Sequence, residues 1–312
     1  MALASLLHET DYPTRKNTPT CTSTFKTCAT SFTQFLGAGV FLISVAVTLD
    51  VTAAPLFSAS GLDGAGLGLL EEQHGRAWGE LAYHKQSNLT IVSPTFGIGF
   101  IPISQLELGL TIPISRVVSV NPDIAETQLG NLRFSASLLS LSGEPRATVG
   151  LGLALPTAPA GDSTAIATNQ VALAPHGYQH MTLRMPQYSG IDLPLHVETG
   201  KTIIGSLDAS VQVLLPTSKN PSRDAIGAMT FSPGFGGYAT DHLILGLRLP
   251  MWFFLTGKDS ESKDRAQLTF EPFIRLNLGT YGFISTRVTI PMDRPLTEAK
   301  MWGFHLGGGG AF

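Results

Sequence analysis

The sequence has few cysteines and few charged residues. Only two of its 312 residues are cysteines, Cys21 and Cys28, and both lie near the amino terminus. Charged residues make up 14% of the chain, whereas an ordinary soluble domain has about 25%. The formal net charge is only −3, so the chain lacks the basic surface of a nucleic-acid-binding protein. We therefore expect neither a fold held together by disulfide bonds nor a nucleic-acid partner.

The sequence also lacks a long apolar run, although hydrophobic residues make up 43% of it. A helical membrane protein is therefore not expected, because a spanning helix needs about 18 or more consecutive apolar residues.

Catalytic signatures such as Gly-x-Ser-x-Gly, His-Glu-x-x-His and a phosphate loop are also absent. The glycine-rich GAGLG at residues 64–68 lacks the spacing of a dinucleotide site. We therefore expect no enzyme activity, no catalytic residue, no cofactor and no metal.

An apolar stretch near the amino terminus predicts a targeting signal. Residues 35–49 read FLGAGVFLISVAVTL, and Val51-Thr52-Ala53 follows with small residues where a signal peptidase cuts. Basic residues precede the stretch. The pattern predicts a secretory signal peptide over residues 1–53, cleaved after Ala53; the alternative is a signal anchor that stays in place. Residues 54–75 are then a glycine-rich periplasmic lead-in, and both cysteines are lost with the signal.

Beyond residue 76, apolar and polar residues alternate in twelve runs. In residues 202–215, for example, Leu207 and Val211 share one face, whereas Asp208 and Gln212 share the other. A period of two indicates β-strands, and runs of ten or more residues suit a tilted strand that crosses a membrane. The runs are residues 76–84, 89–100, 106–115, 129–141, 146–156, 190–198, 202–215, 225–237, 241–255, 266–278, 280–291 and 300–312.

The connections between these runs alternate between short and long, except that the first link, residues 85–88, is short where a long one is expected. Residues 101–105, 142–145, 199–201, 238–240 and 279 form short links, whereas residues 117–128, 157–189, 216–224, 256–265 and 292–299 form longer, more polar ones. Short periplasmic turns and long outer loops are typical of outer-membrane barrels. We therefore predict an all-β, closed antiparallel transmembrane β-barrel of about 12 strands over residues 76–312. A count of 14 is the alternative, if residues 171–185 add a hairpin instead of extending their neighbouring strands.

The final run, KMWGFHLGGGGAF, carries a family resemblance. Trp302, Phe304, Leu306 and Phe312 share its apolar face, and His305 lies on the other face. A terminal strand that ends in Phe resembles the closing strand of single-chain bacterial outer-membrane β-barrels of the porin and transporter type. The resemblance implies a cell outer membrane location, contact with the lipid bilayer, and recognition of the strand by the barrel assembly machinery.

The resemblance also directs the functional prediction. VGLGLALP and LILGLRLP are similar to segments of small barrels assigned to outer-membrane transport of aromatic or hydrophobic compounds. We expect a channel or transporter for small solutes, including hydrophobic or aromatic ones. The alternatives are a structural or adhesive barrel without transport and, third, a barrel hydrolase that uses a histidine such as His84 or His196.

Polar residues on the inward parity are the candidates for lining the lumen. They could form mutually paired networks, such as Glu271 with Arg275 or Asp208 with Arg248, or line a path for a solute. The candidates are Glu107, Arg133, Asp192, His196, Asp208, Arg248, Glu271, Arg275, Arg287 and His305, with Arg76, Glu80, His84 and His242 also on the inward parity.

Two further features bear on the predicted width of the lumen. Inward glycines are expected to leave part of the wall without bulk; they are Gly150, Gly152, Gly303, Gly307 and Gly309. The long link at residues 157–189 is the candidate lid or constriction. Its His176, Tyr178 and His180 are candidate contacts for an entering ligand.

Overall fold

The computed structural model describes residues 74–86, 89–120, 123–139, 145–159, 163–173, 180–200, 202–217, 224–256, 266–278, 282–293, 297 and 300–312. The predicted signal peptide, nearly all of the lead-in, His176 and Tyr178 lie outside these residues. Within the described ranges, no helix is long and apolar enough to cross a membrane.

Fourteen β-strands and two helices make up the described fold. The strands are β1 (Gly75–Gln86), β2 (Leu89–Ile103), β3 (Leu106–Val120), β4 (Asp123–Leu129), β5 (Arg133–Leu139), β6 (Arg146–Ala154), β7 (Tyr188–Thr199), β8 (Ile203–Pro216), β9 (Ile226–Tyr238), β10 (Leu243–Arg248), β11 (Met251–Phe254), β12 (Ala266–Leu278), β13 (Gly282–Pro291) and β14 (Trp302–Ala311). The helices are α1 (Ser163–Leu173) and α2 (Met181–Arg184), both between β6 and β7.

The sheet closes on itself. Each strand pairs antiparallel with its neighbours, and β14 returns to pair with β1 in an unbroken register from Arg76 opposite Ala311 to Lys85 opposite Trp302. Phe312 and the first residue of β1 reinforce this seam, because the Gly75 N–H donates to the Phe312 carbonyl at 3.0 Å and the Phe312 N–H donates to the Gly75 carbonyl at 2.9 Å. The predicted all-β, closed antiparallel barrel is confirmed.

The barrel wall has twelve strand positions around its circumference. Two of these positions are each occupied by two short strands, one after the other. β4 and β5 pair with successive parts of β3, and residues 130–132 break the position between them. β10 and β11 both lie between β9 and β12, with a break at residues 249–250 because Pro250 has no N–H to donate. Twelve wall positions therefore contain fourteen strands, and the prediction of about twelve holds for the barrel.

Some predicted boundaries are wrong. Residues 117–128 were expected to form a loop, but β3 and β4 extend through most of them as a hairpin. Residues 241–255 were expected to form one strand, and His242 lies exposed in the turn before β10 instead of facing inward. Short polar insertions conceal strand alternation, and a proline within a run interrupts it.

The link between β6 and β7 also departs from prediction. Its apolar residues were expected to extend the flanking strands, or to add a hairpin that would give 14 strands, but they form α1 and α2. Val171 and Leu173 pack against apolar clusters of the barrel instead of facing lipid. Apolar residues at these positions therefore mark contacts with the interior, which strand parity alone does not reveal.

The outer wall carries a broad apolar belt. Leu81, Phe96, Leu153, Ile274 and Leu306 are each between 43% and 51% exposed. Water would disfavour so much exposed apolar surface, whereas a bilayer accommodates it. On β14, Trp302, Phe304 and Leu306 face outward while His305 is buried, as the predicted parity of the final strand requires.

The depth of the belt can be tested with two arginine substitutions on this face. Leu81 lies mid-strand between Leu306 and Pro94, whereas Ile203 begins β8 beside a short turn. Leu81→Arg should lower the free energy of unfolding by about 2–4 kcal/mol, and Ile203→Arg by about 0–1 kcal/mol, because the cost falls toward the membrane surface. Urea titration of refolded protein in vesicles measures both; equal losses would contradict this depth assignment.

Candidate functional site

All ten predicted lumen-lining residues lie on inward positions of the wall. Nine of them are between 2% and 8% exposed, and the side chain of the tenth, Asp208, is 16% exposed. Their burial requires partners, because an unpaired charge in the interior is costly. Their role in a solute path stays a prediction; what the structure shows is how they pair.

One chain of ionic contacts begins on β7 and runs around the wall. His196 Nδ1 lies 2.6 Å from Asp208 Oδ1, and Arg248 Nη2 donates to Asp208 Oδ2 at 3.2 Å. Arg248 also approaches Glu271, with Nη1 3.8 Å from Oε2. These contacts connect β7, β8, β10 and β12 through side chains alone.

The same chain continues across the seam of the barrel. Arg287 Nε lies 3.6 Å from Glu271 Oε2, and Arg287 Nη2 donates to Glu80 Oε1 at 2.8 Å. His305 Nδ1 lies 2.7 Å from the same Glu80 oxygen. We call this set the ionic belt: His196, Asp208, Arg248, Glu271, Arg287, Glu80 and His305.

Two further ion pairs cross the interior beside the belt. Arg133 and Asp192 form a bidentate ion pair, in which Nε donates to Oδ1 at 2.9 Å and Nη2 donates to Oδ2 at 2.6 Å. Arg76 Nε donates to Glu107 Oε1 at 2.9 Å. Planar guanidinium–carboxylate forks of this kind are the stronger and more specific ion pairs. The charges facing the lumen therefore largely compensate one another.

The pairing predicted for Arg275 differs from what the structure describes. Arg275 Nε donates to Asn277 Oδ1 at 3.1 Å, and its guanidinium lies 4.3 Å above the centre of the Phe283 ring. The described ion pairs of Glu271 are with Arg248 and Arg287. The predicted pairing of Asp208 with Arg248 is present at 3.2 Å.

The inward glycines do not leave open wall. A Cβ on Gly152 would collide with the Arg133–Asp192 pair, and one on Gly303 would collide with the ring of His84. A Cβ on Gly309 would lie 3.0 Å from Trp78 Cβ. The expectation of a wall without bulk is therefore wrong, because large neighbouring side chains fill these spaces. Gly150 is similarly occupied by Ser137 and Pro194, and Gly307 by Ser285.

The link between β6 and β7 occupies the barrel interior. We call its described part, residues 157–159, 163–173 and 180–187, the inner segment. All four residues of α2 are buried. Arg184 donates from Nη1 to Ser115 Oγ at 2.6 Å and from Nη2 to Thr95 Oγ1 at 2.9 Å. Burial lowers the pKa of Arg184 to about 10, with Glu80 opposing the change, so Arg184 remains a cation at neutral pH.

Asn131 holds the inner segment at both of its ends. Its Nδ2 donates to the carbonyls of Thr182 and Met185, each at 2.9 Å, and to that of Tyr188 at 3.3 Å. Its Oδ1 accepts from the Ala158 N–H at 3.1 Å. Asn131 is fully buried in the break between β4 and β5. The break in the wall is therefore where the inner segment is attached.

Apolar contacts complete the packing of the inner segment. Leu183 packs against Trp78, which reaches inward from β1. On the opposite side, Met181, Met185 and Tyr188 share a buried cluster with wall residues that include Trp252. At the loop end, Ala172 of α1 packs against Ile91 and Val117 of the wall. Apolar burial and hydrogen bonds thus both keep the segment inside.

Two small cavities lie along the interior. One of about 60 Å³ is lined in part by His180, Asp208 and Arg248, and one of about 40 Å³ is lined in part by Arg76 and Glu107. Both touch Arg133. Each has room for a few water molecules, since about 10–15 Å³ of space for water centres is enough for one. Arg133 therefore borders both cavities, whereas its partner Asp192 borders the larger one.

Of the predicted ligand contacts in the long link, His180 is the one described. It is half-buried and borders the larger cavity. Desolvation lowers the pKa of the imidazole well below its usual range, with Glu80 opposing this. The lowered pKa favours the neutral imidazole, which can accept as well as donate a hydrogen bond.

Sequence reasoning missed the residues that hold the inner segment. Asn131 interrupts the alternation of residues 129–141, and Arg184 is the one charge in the apolar stretch MTLRM. Both signals were visible, but each required knowing that the link folds inward. Among the described residues, no group of three or more His, Cys, Asp or Glu side chains is placed to hold a metal ion.

Comparisons with known proteins match the fold. No protein-family model matches the chain, and no curated protein matches it. The crystal structure of an outer-membrane channel from Pseudomonas putida F1 matches with a TM-score of 0.59 and 11% identity, covering 80% of this chain and all of that one.

Two other solved barrels are less similar. The NanC porin has a TM-score of 0.46 and 4% identity, covering 74% of this chain and 98% of its own. The translocator domain of the autotransporter NalP from Neisseria meningitidis has a TM-score of 0.44 and 11% identity, covering 81% and 91%. The Pseudomonas putida match confirms the predicted outer-membrane barrel fold, and with the apolar belt it agrees with an outer-membrane location.

The Arg133–Asp192 pair can be tested by removing one charge and then both. Asp192→Asn should lower the free energy of unfolding by about 3–5 kcal/mol, because it leaves Arg133 buried without its counter-charge. The double variant Arg133→Gln with Asp192→Asn should recover at least half of that loss. Urea titration of vesicle-folded protein measures both; a double variant as unstable as the single one would show that the two charges do not compensate each other.

Proposed function

We propose that the protein is an outer-membrane channel for small solutes, closed in this conformation by the inner segment. The observation that supports this is the placement of α2 inside the barrel, where Arg184 and the carbonyls of Thr182 and Met185 bond to the wall. These contacts are side-chain hydrogen bonds, and the backbone N–H of Asn131 adds one to the Leu183 carbonyl at 2.6 Å; none of them belongs to the backbone ladder that pairs the strands. The segment can therefore leave without unpairing the barrel.

Withdrawal of α2 has a definite structural consequence. Leu183 and His180 both border the larger cavity, and Leu183 also packs on Trp78. Their departure would enlarge that cavity and expose the hydroxyls of Thr95 and Ser115 to water, which can replace the bonds from Arg184. Arg133 would still border both cavities, paired with Asp192.

The lining of the interior favours small polar or zwitterionic solutes. Hydroxyl and amide side chains such as Ser210, Gln212 and Thr230 border the larger cavity together with charges of both signs. Nearly balanced charge favours weak ion selectivity. Hydrophobic or aromatic solutes, which the sequence also predicted, would find their contacts at the cluster of Met181, Met185 and Trp252 instead.

One geometric observation favours the hydrolase alternative, and two observations count against it. Thr289 Oγ1 lies 3.0 Å from His305 Nε2, and His305 Nδ1 lies 2.7 Å from Glu80, as in a nucleophile–base–acid arrangement. However, the Thr289 hydroxyl donates to Glu271 at 2.9 Å, so its proton is directed away from the base. Thr289 is also 3% exposed, which leaves a substrate no access. We therefore propose that the protein is not an enzyme.

Recognition of β14 by the barrel assembly machinery stays a prediction. It is compatible with the fold, because β14 carries the outward aromatic face and joins β13 to β1. Cleavage after Ala53 also stays a prediction, since that site lies outside the described residues.

Single-channel recording in planar bilayers tests the proposed function. Asn131→Ala removes three side-chain hydrogen bonds to the inner segment. At a net value of about 0.5–1 kcal/mol each, their loss should raise the ratio of open to closed channels about 10-fold or more. Deletion of residues 165–184 should give a persistently open channel, and wild type should show small, infrequent currents.

Asn277→Ala is the matched control, because Asn277 bonds to Arg275 and its described contacts do not reach the inner segment. It should behave as wild type. Absence of current from wild type and both variants, with heat-modifiable migration showing folded barrels, would favour a structural or adhesive barrel. An equal current with and without residues 165–184 would retain the channel but remove the inner segment as its gate.

A further inference from the structure

Three basic side chains on the outside of the barrel are grouped at one place. Lys85 and Arg116 are exposed on outward positions near the loop ends of β1 and β3, and Lys300 is exposed just before β14. Among the outward-facing strand side chains that the structure describes, Lys85 and Arg116 are the charged ones. Both are cationic, and both lie at the end of the barrel opposite Gly75 and Phe312.

These three cations differ from the arginines inside the barrel in their lack of partners. Arg76, Arg133, Arg248 and Arg287 each pair with a carboxylate. Within the described ranges, neither a side-chain hydrogen bond nor an ion pair engages Lys85, Arg116 or Lys300. A counter-charge for this corner therefore has to come from outside the described chain.

The strand register places Lys85 and Arg116 close enough to share one ligand. Tyr83 lies opposite Val92, and Val92 lies opposite Arg116, so two strand spacings, about 10 Å, separate Tyr83 from Arg116. Lys85 lies two residues, about 7 Å, further along β1. Their Cα atoms are thus about 12 Å apart, and both long side chains can reach a headgroup between them.

Aromatic side chains mark the depth of this corner in the membrane. Trp302 lies opposite Lys85, is 48% exposed, and its ring centre is 6.0 Å from that of Tyr83. Outward Trp and Tyr side chains concentrate at headgroup level. The cations on either side of them therefore lie where lipid phosphates are found.

We propose that Lys85, Arg116 and Lys300, with Trp302 and Tyr83, form a binding site for a phosphorylated lipid headgroup of the outer leaflet. The guanidinium and ammonium groups bind the phosphate oxygens, and the aromatic rings pack against the upper acyl chains. A site of this kind anchors the β14–β1 seam to one lipid. The inference rests on the membrane location and is independent of channel activity.

The test measures lipid retention by the refolded full-length barrel. Wild type and the triple variant Lys85→Gln, Arg116→Gln, Lys300→Gln are folded in phosphatidylcholine vesicles containing a minor fraction of bisphosphorylated glycolipid. Native mass spectrometry then counts bound glycolipid. Each cation removed should weaken binding about fivefold, from about 1 kcal/mol per basic side chain near an anionic surface, so the triple variant should retain almost none.

Two controls separate this site from general attraction and from structural damage. The charge-conserving variant Lys85→Arg with Arg116→Lys should bind within about twofold of wild type. Inorganic phosphate added to protein in neutral detergent should leave the melting temperature unchanged, because the site needs the acyl chains as well as the phosphate. Single variants Lys85→Gln and Arg116→Gln, which alter exposed positions, replace the triple variant if it misfolds.

Equal glycolipid retention by wild type and the glutamine variants would overturn the proposal. So would equal retention of phosphatidylcholine and glycolipid by wild type. A melting-temperature rise with inorganic phosphate alone would assign the cations to a soluble anion and would equally contradict the lipid site.

Discussion

The structure depends on one constraint, which is that backbone N–H and C=O groups must be paired wherever the chain meets hydrocarbon. The barrel meets this constraint by closing β14 onto β1, with Phe312 and Gly75 bonded to each other at the end of the seam. Closure fixes the register around the ring, and register decides which side chains face lipid and which face inward. The apolar belt, the ionic belt and the outward group of Lys85, Arg116 and Lys300 all follow from that single arrangement.

Inside the barrel, the same register makes charge compensation possible. Partners such as Asp208 and Arg248 are far apart in sequence, yet the ring brings them to 3.2 Å. Such pairs stabilise little on average, because desolvation offsets much of their attraction. Their effect is better described as specificity: a strand shifted by one residue would bury a set of unpaired charges. Inward glycines such as Gly152 and Gly303 contribute by leaving room for these large side chains.

The periodic part of the fold was predictable from the sequence, because a membrane wall imposes a strict alternation. Leu306 outward and His305 inward could be placed by counting in twos, and so could the ten lumen candidates. The breaks were harder to predict. Pro250 lies within an unbroken leucine pattern, and β3 and β4 extend into a stretch whose polar composition is that of a loop. The inner segment could not be placed at all, because apolar residues such as Leu183 look the same whether they face lipid or Trp78. Asn131 needed that placement before its four bonds had meaning.

The position of the inner segment along the chain has a consequence for assembly. It lies between β6 and β7, near the middle of the ring, while the seam that completes the ring joins β1 to β14. Its anchor, Asn131, comes just before β5, so only β5 and β6 separate the anchor from the segment along the chain. The segment can therefore fold onto an open, curved sheet of the central strands before the first and last strands meet. The barrel can then close around the inner segment, and the segment does not have to be threaded into a closed barrel.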